Sequence, residues 1–505
     1  MEKHDVIIIG KGLAGLSVAA RLIEIEPERK IAIYSAGYGG SPVIAAINFV
    51  LPDNPHGDTP ELYCEDMLNA GYNIANRQLV KEMTQRTVDG YEMMLRWGVE
   101  FAKNEDGTIK LRHVSGHTYP RSLCCTAELI GVRIVERLVE GLKQKNVAFY
   151  DNAECLKVLE KDGVAYGITY ADEKNDVHNA YADAVVAAWG GVGNLFGTST
   201  YPKDIAGNTL AMAEEIGAEL IDVEFLEYEP MVVMEPESAI GEPCPTAMLG
   251  EGAYLLNSDG ERFLLKVRPQ GEGGAPKTLI NREIWKQVAA GKGSPHGGVW
   301  VDLRHINRNV LKAYPWFFER LMDGGVDPSE VIVEVGPLAH SFSGGVKVGS
   351  DYQSNVHGFY AVGEACGGIH GACRCAGNAA SQALLSGMIC GEAIAKEYTH
   401  NEVAQTPAAW KVDKAVYERF VPKAQESART ALAIYRNGAD LQSAKLHLEE
   451  MLRHVDIKKD ERAEQIVRSI LLMVTAALQR EESRGTHMRL DFPEADVKFA
   501  KGMTV

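Results

Sequence analysis

An apolar N-terminal run that ends in closely spaced glycines, two further glycine-ended apolar runs far along the chain, and a charged tail with helical periodicity predict an α/β fold. Asp5 to Ile9 is β-branched and apolar on both faces, as a buried parallel strand requires. Gly10, Gly12 and Gly15 follow in GKGLAG, and Leu16 to Ile23 continues with helical spacing. Strand, tight turn and helix form the context of a dinucleotide fingerprint: one glycine makes the turn, one admits a pyrophosphate, one lets helix pack on strand, and the helix N-terminus favours the anion. The next predicted strand, Lys30 to Tyr34, is followed by Ser35 where a NAD site would place an acid, which argues against a generic NAD site.

Ala184 to Ala188 then enters the turn WGGVGNLFG as a second buried strand. GFYAVG, Gly358 to Gly363, is a third, ending at Glu364 and followed by a Gly/Ala/Cys loop and an amphipathic helix from about Asn378 to Lys396. Strands this far apart imply one nucleotide domain, residues 1–222 and 344–397, interrupted by an insert over 223–343. Residues 398–505 read as a helical domain and tail.

At 505 residues the chain exceeds one compact core, and 46% hydrophobic with 24% charged residues is ordinary for a globular protein. A net charge of −17 without a Lys/Arg-rich stretch makes nucleic acid an unsuitable partner. SILLMVTAALQ, from Ser469, falls short of the roughly 18 apolar residues that span a bilayer. MEKHDVIIIG does not resemble a secretory signal, so a cytoplasmic protein is expected. Nine cysteines without framework spacing read as reduced thiols. No CxxCH or CxxCxxC run supplies an electron wire, so electrons must come from elsewhere.

With GKGLAG, AWGGVGNLFG, GNTLAMAEEIGAEL, GFYAVGEACGGIHGACRCAGN and REESRGTHMRLDFPE all in order, the chain resembles the succinate dehydrogenase/fumarate reductase flavoprotein family, which includes L-aspartate oxidase. The resemblance implies a Rossmann-type FAD-binding domain interrupted by a capping α+β domain and followed by a C-terminal helical domain. It puts Gly10, Gly12 and Gly15 against the FAD pyrophosphate, with Leu13, Ala14, Ala46 and Gly190 also in the cofactor set. Lys11 and Ser35 fall near the adenosine end, Glu364 on a ribose hydroxyl, and Asn378 and Ala379 by the isoalloxazine.

The same resemblance implies hydride transfer between flavin N5 and a C=C or CH–CH bond next to a carboxylate, with donor and acceptor roughly 3 to 3.5 Å apart. Arg374 matches the carboxylate-binding arginine, His340 its partner, and Arg282 the arginine that delivers the proton, with Glu283 a neighbour that could resupply it. Guanidinium suits the grip because it is planar and two-pronged.

Departures from the family pattern reshape the far end of the site. Glu229, in YEPMV, stands where dicarboxylate-using members have a histidine, Pro245 and Thr246 replace their Thr-Glu pair, and Leu249 takes the relay arginine's place. Glu229 and Thr246 therefore line a substrate pocket in which a second carboxylate would be repelled. Pro42 occupies the position of the covalent-flavin histidine, so FAD is expected to be dissociable. Cys366, Cys373 and Cys375 read chiefly as small residues filling a tight loop; with His370 alone beside them, no metal is expected. The expected function is enoate reduction on a non-fumarate acid, with an iron–sulfur or other electron-transfer partner. Oxidation of the L-aspartate-oxidase or succinate-dehydrogenase kind, and a catalytically inert flavin-binding subunit, are the alternatives.

Overall fold

The computed structural model describes residues 2–397 and 409–505, apart from Ser115, Ala127 and Ala313; the start assigned to the C-terminal domain, 398–408, falls outside the described residues. Strand β1 (Glu2–Ile9) is longer than its apolar pattern, and helix α1 (Leu13–Ile25) begins three residues before the periodic run. Both extensions come from hydrogen bonding that hydropathy does not report: Glu2, Lys3 and His4 pair with residues 180–182 of the next strand, and the helix starts as soon as Gly12 permits.

β1 pairs in parallel with β2 (Ile31–Ser35), which pairs in parallel with β3 (Val147–Asp151). Across β1 lies β6 (Val177–Ala187), and the hairpin of β4 (Glu154–Lys161) and β5 (Val164–Ala171) continues the sheet antiparallel. The sheet order is β3-β2-β1-β6-β5-β4. β6 is long enough to hold β5 on its first half and β11 (Phe359–Ala361) in parallel on its last three residues. The strand predicted at GFYAVG is thereby brought into the same sheet beside β6, and the carboxyl ends of β1, β6 and β11 meet where the glycine turns lie.

Between β6 and β11 the chain builds a second sheet, β7 (Leu226–Val233), β8 (Tyr254–Leu256), β9 (Val299–Asp302) and β10 (Val333–Phe342), in antiparallel order β7-β10-β9-β8. Helix α2 (Lys277–Ala289) packs on it, and residues from Met231 to Val335 form a core of their own. After β11 comes α3 (Asn378–Lys396), lying along α1. The tail carries α4 (Lys414–Ala431), α5 (Gly438–Arg453) and α6 (Glu461–Gln479). Their buried side chains continue the core of the first sheet. The SILLMVTAALQ run lies in α6, where the Ser469 hydroxyl receives the Ala211 main-chain N–H at 3.1 Å.

Candidate FAD and substrate site

Gly10 adopts φ +113°, and a Cβ there would run into the Ala188 carbonyl of the neighbouring strand end. Gly12 is the extended N-cap of α1 and supplies no side-chain cap, which leaves the helix N-terminus open to an anion. Leu13 donates its N–H to Ser41 Oγ at 2.7 Å, while Ala14 and Gly15 are buried against the sheet. Lys11 donates its N–H to Ser35 Oγ at 3.3 Å and pairs through Nζ with Asp151 at the end of β3. Gly190, at φ +78°, and Glu364 line a small crevice with Trp189 and Phe342. Glu364 Oε1 accepts from the Tyr201 hydroxyl at 2.6 Å and the Phe342 N–H at 2.8 Å, and burial pushes its carboxyl above the ordinary range.

Asn378 opens α3 after Gly377 in the left-handed region. Its Oδ1 accepts from Asn48 Nδ2 at 2.6 Å and Tyr63 at 2.8 Å, whereas its Nδ2 and the Oδ1 of Asn48 are buried without partners. Ala379 is exposed and Ala46 half-buried beside them. A glycine cradle, an open helix N-terminus and two orphaned carboxamide atoms fit a dinucleotide whose ring offers both donors and acceptors.

Arg374 is the hub of a second, polar cluster. Its Nη2 lies 3.2 Å from Glu227 Oε2, its Nε 3.2 Å from Ser341 Oγ, its Nη1 3.2 Å from the Cys375 carbonyl, and its own N–H donates to Glu227 Oε1 at 2.5 Å. Glu227 on β7 and Ser341 on β10 are cross-strand partners, so one register brings both to the guanidinium. Burial alone would lower the Arg374 pKa, but Glu227 and Glu364 outweigh it and hold the side chain charged.

His340 stands next to Ser341; its Nδ1 shares a 2.8 Å hydrogen bond with the Thr200 hydroxyl and its Nε2 lies 3.7 Å from Glu229. Burial, then Lys277 and Arg374, pull its pKa down to about 3, so it is neutral at pH 7. Glu229 is 4% exposed and forms an ion pair with Lys277 at the start of α2. Arg282, one and a half turns on, donates from Nε to the Tyr435 hydroxyl at 3.2 Å. Arg282 and Cys373 both influence the Tyr72 hydroxyl, which places α2 beside the Arg374 loop.

Residues 5–380 match the family model described as FAD binding domain, and residues 423–505 the one described as fumarate reductase flavoprotein C-term. The chain belongs to the succinate dehydrogenase/fumarate reductase flavoprotein family. As a member it is an FAD-dependent oxidoreductase, and its cofactor is FAD. It is 28% identical to one subunit of the fumarate reductase (CoM/CoB) of Methanothermobacter marburgensis, over 99% of this chain and 96% of that one. It is also 28% identical to the L-aspartate oxidase of Bacillus subtilis, over 99% and 93%. The FrdA chain of an E. coli quinol fumarate reductase superposes with a TM-score of 0.85 at 24% identity, covering 100% of this chain and 94% of that chain. Sdh1 of Mycobacterium smegmatis gives 0.85 at 25%, with the same coverage.

Within this flavoprotein family member, the structure brings Arg374, His340 and Glu229 into one cluster, with Arg282 at its border. Thr246 lies half-buried in a 3-10 turn and makes no hydrogen bond to these residues among those described; Leu249 is buried in the core of the insert. Two expectations change. Glu229 is not a lone charge, because Lys277 neutralises it from a helix that hydropathy could not place beside β7. Glu283 does not serve Arg282: adjacent helical residues point about 100° apart, and Glu283 pairs with Lys286 at 2.6 Å. Glu227 was missed, although the alternation in LEYEP puts it on the same strand face as Glu229. Cys366, Cys373 and Cys375 are free thiols, and His370 Nε2 is taken by Gln382 at 2.6 Å. No described helix is long and apolar enough to cross a membrane.

Proposed function

We propose that this flavoprotein reduces an α,β-unsaturated acid that carries one carboxylate and a non-acidic tail. The observation that carries the proposal is the charge balance of the cluster: Arg374 pairs with Glu227 and Lys277 with Glu229, burial pushes the nearby Glu364 carboxyl toward its neutral form, and Arg282 at the border is left as the cation for a substrate anion. A second substrate carboxylate would add an uncompensated charge in a largely buried site. Bound FAD supplies the hydride chemistry at N5.

The roles of the protein groups follow from their chemistry. Arg374 has two N–H donors left after its three protein bonds, the number a two-pronged carboxylate uses. Neutral His340 donates or accepts a hydrogen bond beside it and draws charge toward the acid end. Arg282 delivers a proton to the α-carbon; guanidinium loses protons reluctantly, and the Tyr435 hydroxyl on its Nε is the group that orients it. Pro42, in a 3-10 turn near Ser41, cannot form a flavin bond, so FAD is held without one. Electrons reach the site from an iron–sulfur or other redox subunit, which would also account for any peripheral attachment to a membrane.

The test is anaerobic: photoreduce the flavin, then add crotonate, acrylate, fumarate and related acids and follow reoxidation. Fast reoxidation by a monocarboxylate, abolished in Arg374→Ala with FAD still bound, is the expected result. Fumarate as the best acceptor, or full turnover without Arg374, refutes the reading. Several relatives named L-aspartate oxidase favour a second reading, oxidation of an amino acid, which hydrogen peroxide release with L-aspartate would support.

A further inference from the structure

We infer that Glu227 is a specificity-determining residue: it anchors the Arg374 fork and, by its own charge, restricts the site to acids with a single carboxylate. The inference rests on the assignment of Arg374 to the substrate carboxylate. Glu227 grips Arg374 at two points, the main-chain N–H at 2.5 Å and Nη2 at 3.2 Å. Both side chains are largely buried, 9% and 14% exposed, so their charges are weakly screened by water or salt.

A carboxylate in that position has two opposed effects. It fixes the guanidinium, which favours any anion that binds the remaining donors. It also adds a negative charge one guanidinium away from the incoming anion, and that repulsion grows with the anion's own charge. The other groups facing the fork do not relieve it: His340 is neutral, Lys277 is taken by Glu229, and Glu364 adds a further carboxyl, itself pushed toward its neutral form by burial. A monoanion meets the one surplus cation of the cluster, and a dianion exceeds it.

The test uses the FAD-loaded full-length chain with acetate and malonate, neither of which has a CH–CH bond to exchange hydride with flavin. Dissociation constants are read by calorimetry and by the change in flavin absorbance. In Glu227→Gln, an isosteric carboxamide keeps an acceptor for the Arg374 N–H and removes the charge. Malonate is expected to bind at least tenfold tighter than to the unaltered protein, with a smaller gain for acetate, so that the preference shifts toward the dianion. Glu227→Asp, which keeps the charge, should keep the original preference; a purely structural role would make both variants weaken both anions alike. An unchanged or reduced malonate-to-acetate preference in Glu227→Gln overturns the inference. Without any variant, malonate should bind more tightly as pH falls through its second ionisation, and a flat profile is equally fatal. Arg374→Gln separates this idea from the one beneath it. If Arg374→Gln loses both anions while Glu227→Gln leaves the preference unmoved, Glu227 is only an anchor; if Arg374→Gln binds both anions normally, the carboxylate grip lies elsewhere and both readings fall.

Discussion

Replacing Lys277 with methionine should make His340 titratable. At present burial, Lys277 and Arg374 keep its pKa at about 3. The substitution acts twice in one direction: it removes a cation that opposes protonation, and it frees Glu229, whose Oε2 lies 3.7 Å from His340 Nε2. Two unit charges at that separation attract by roughly 4 kcal/mol at an effective dielectric of about 20. Burial still opposes the charged form, so about half of that attraction is expected to survive, a rise of roughly one to two pH units at about 1.4 kcal/mol each. The assay is an imidazole nitrogen titration of histidine-labelled protein, with His340→Asn identifying the resonance. As a consequence methanesulfonate, which stays anionic throughout this range, should bind the Lys277→Met protein more tightly below the new pKa, because an imidazolium then stands beside Arg374. A His340 resonance that shows no titration down to pH 4 in that variant would refute the electrostatic account of the cluster.

Acid precipitation of the yellow protein should leave all its FAD in the supernatant; colour retained by the pellet would show a covalent link. Gly15→Val puts a branched side chain against the Gly10 carbonyl and Ile8 Cγ2, and the soluble protein should emerge without flavin, as read from its visible spectrum. Arg121 is fully buried and held by Asp58 at 2.6 and 2.8 Å and Asp66 at 2.7 Å, so Arg121→Met strands two buried carboxylates and should cost roughly 3–5 kcal/mol in urea denaturation; a cost under 1 kcal/mol would contradict it. Stability should fall on acidification from pH 6.5 toward 4. His117, at about 4, and His340 and His370, at about 3, are held neutral by burial, so the unfolded chain takes up protons first, each worth up to about 1.4 kcal/mol per pH unit. Asp222, raised to about 7 by burial and Glu224, works in the opposite sense between about 4 and 7. A urea midpoint that climbs as pH drops would refute that balance.

The nucleotide half was readable because its signals are local. Gly10, Gly12 and Gly15 lie together in one strand, turn and helix and so are visible as a spacing, although the room Gly10 needs is set by Ala188, and the run from Asn378 to Lys396 emerges as a helix with those bounds. The insert was readable only as an interruption: its short strands are buried by partners that can lie more than a hundred residues away, and their apolar runs resemble those of any core segment. Arg374 could be singled out from the loop around it, but the side chains that hold it could not. Ser341 reaches it through the register of β10 on β7, and Thr200 reaches His340 from the turn after β6.

From the sequence alone come a dinucleotide-binding strand, turn and helix and the parallel strands around them, because periodicity and glycine spacing constrain neighbours along the chain; FAD and the residues expected to hold an acid over it were implied by the resemblance. Tertiary structure decided the charge of the cluster around Arg374. Lys277 meets Glu229 and Glu227 meets Arg374 only after α2 and β7 have been folded together, and electrostatic pairing depends on distance through space, which spacing along the chain does not encode.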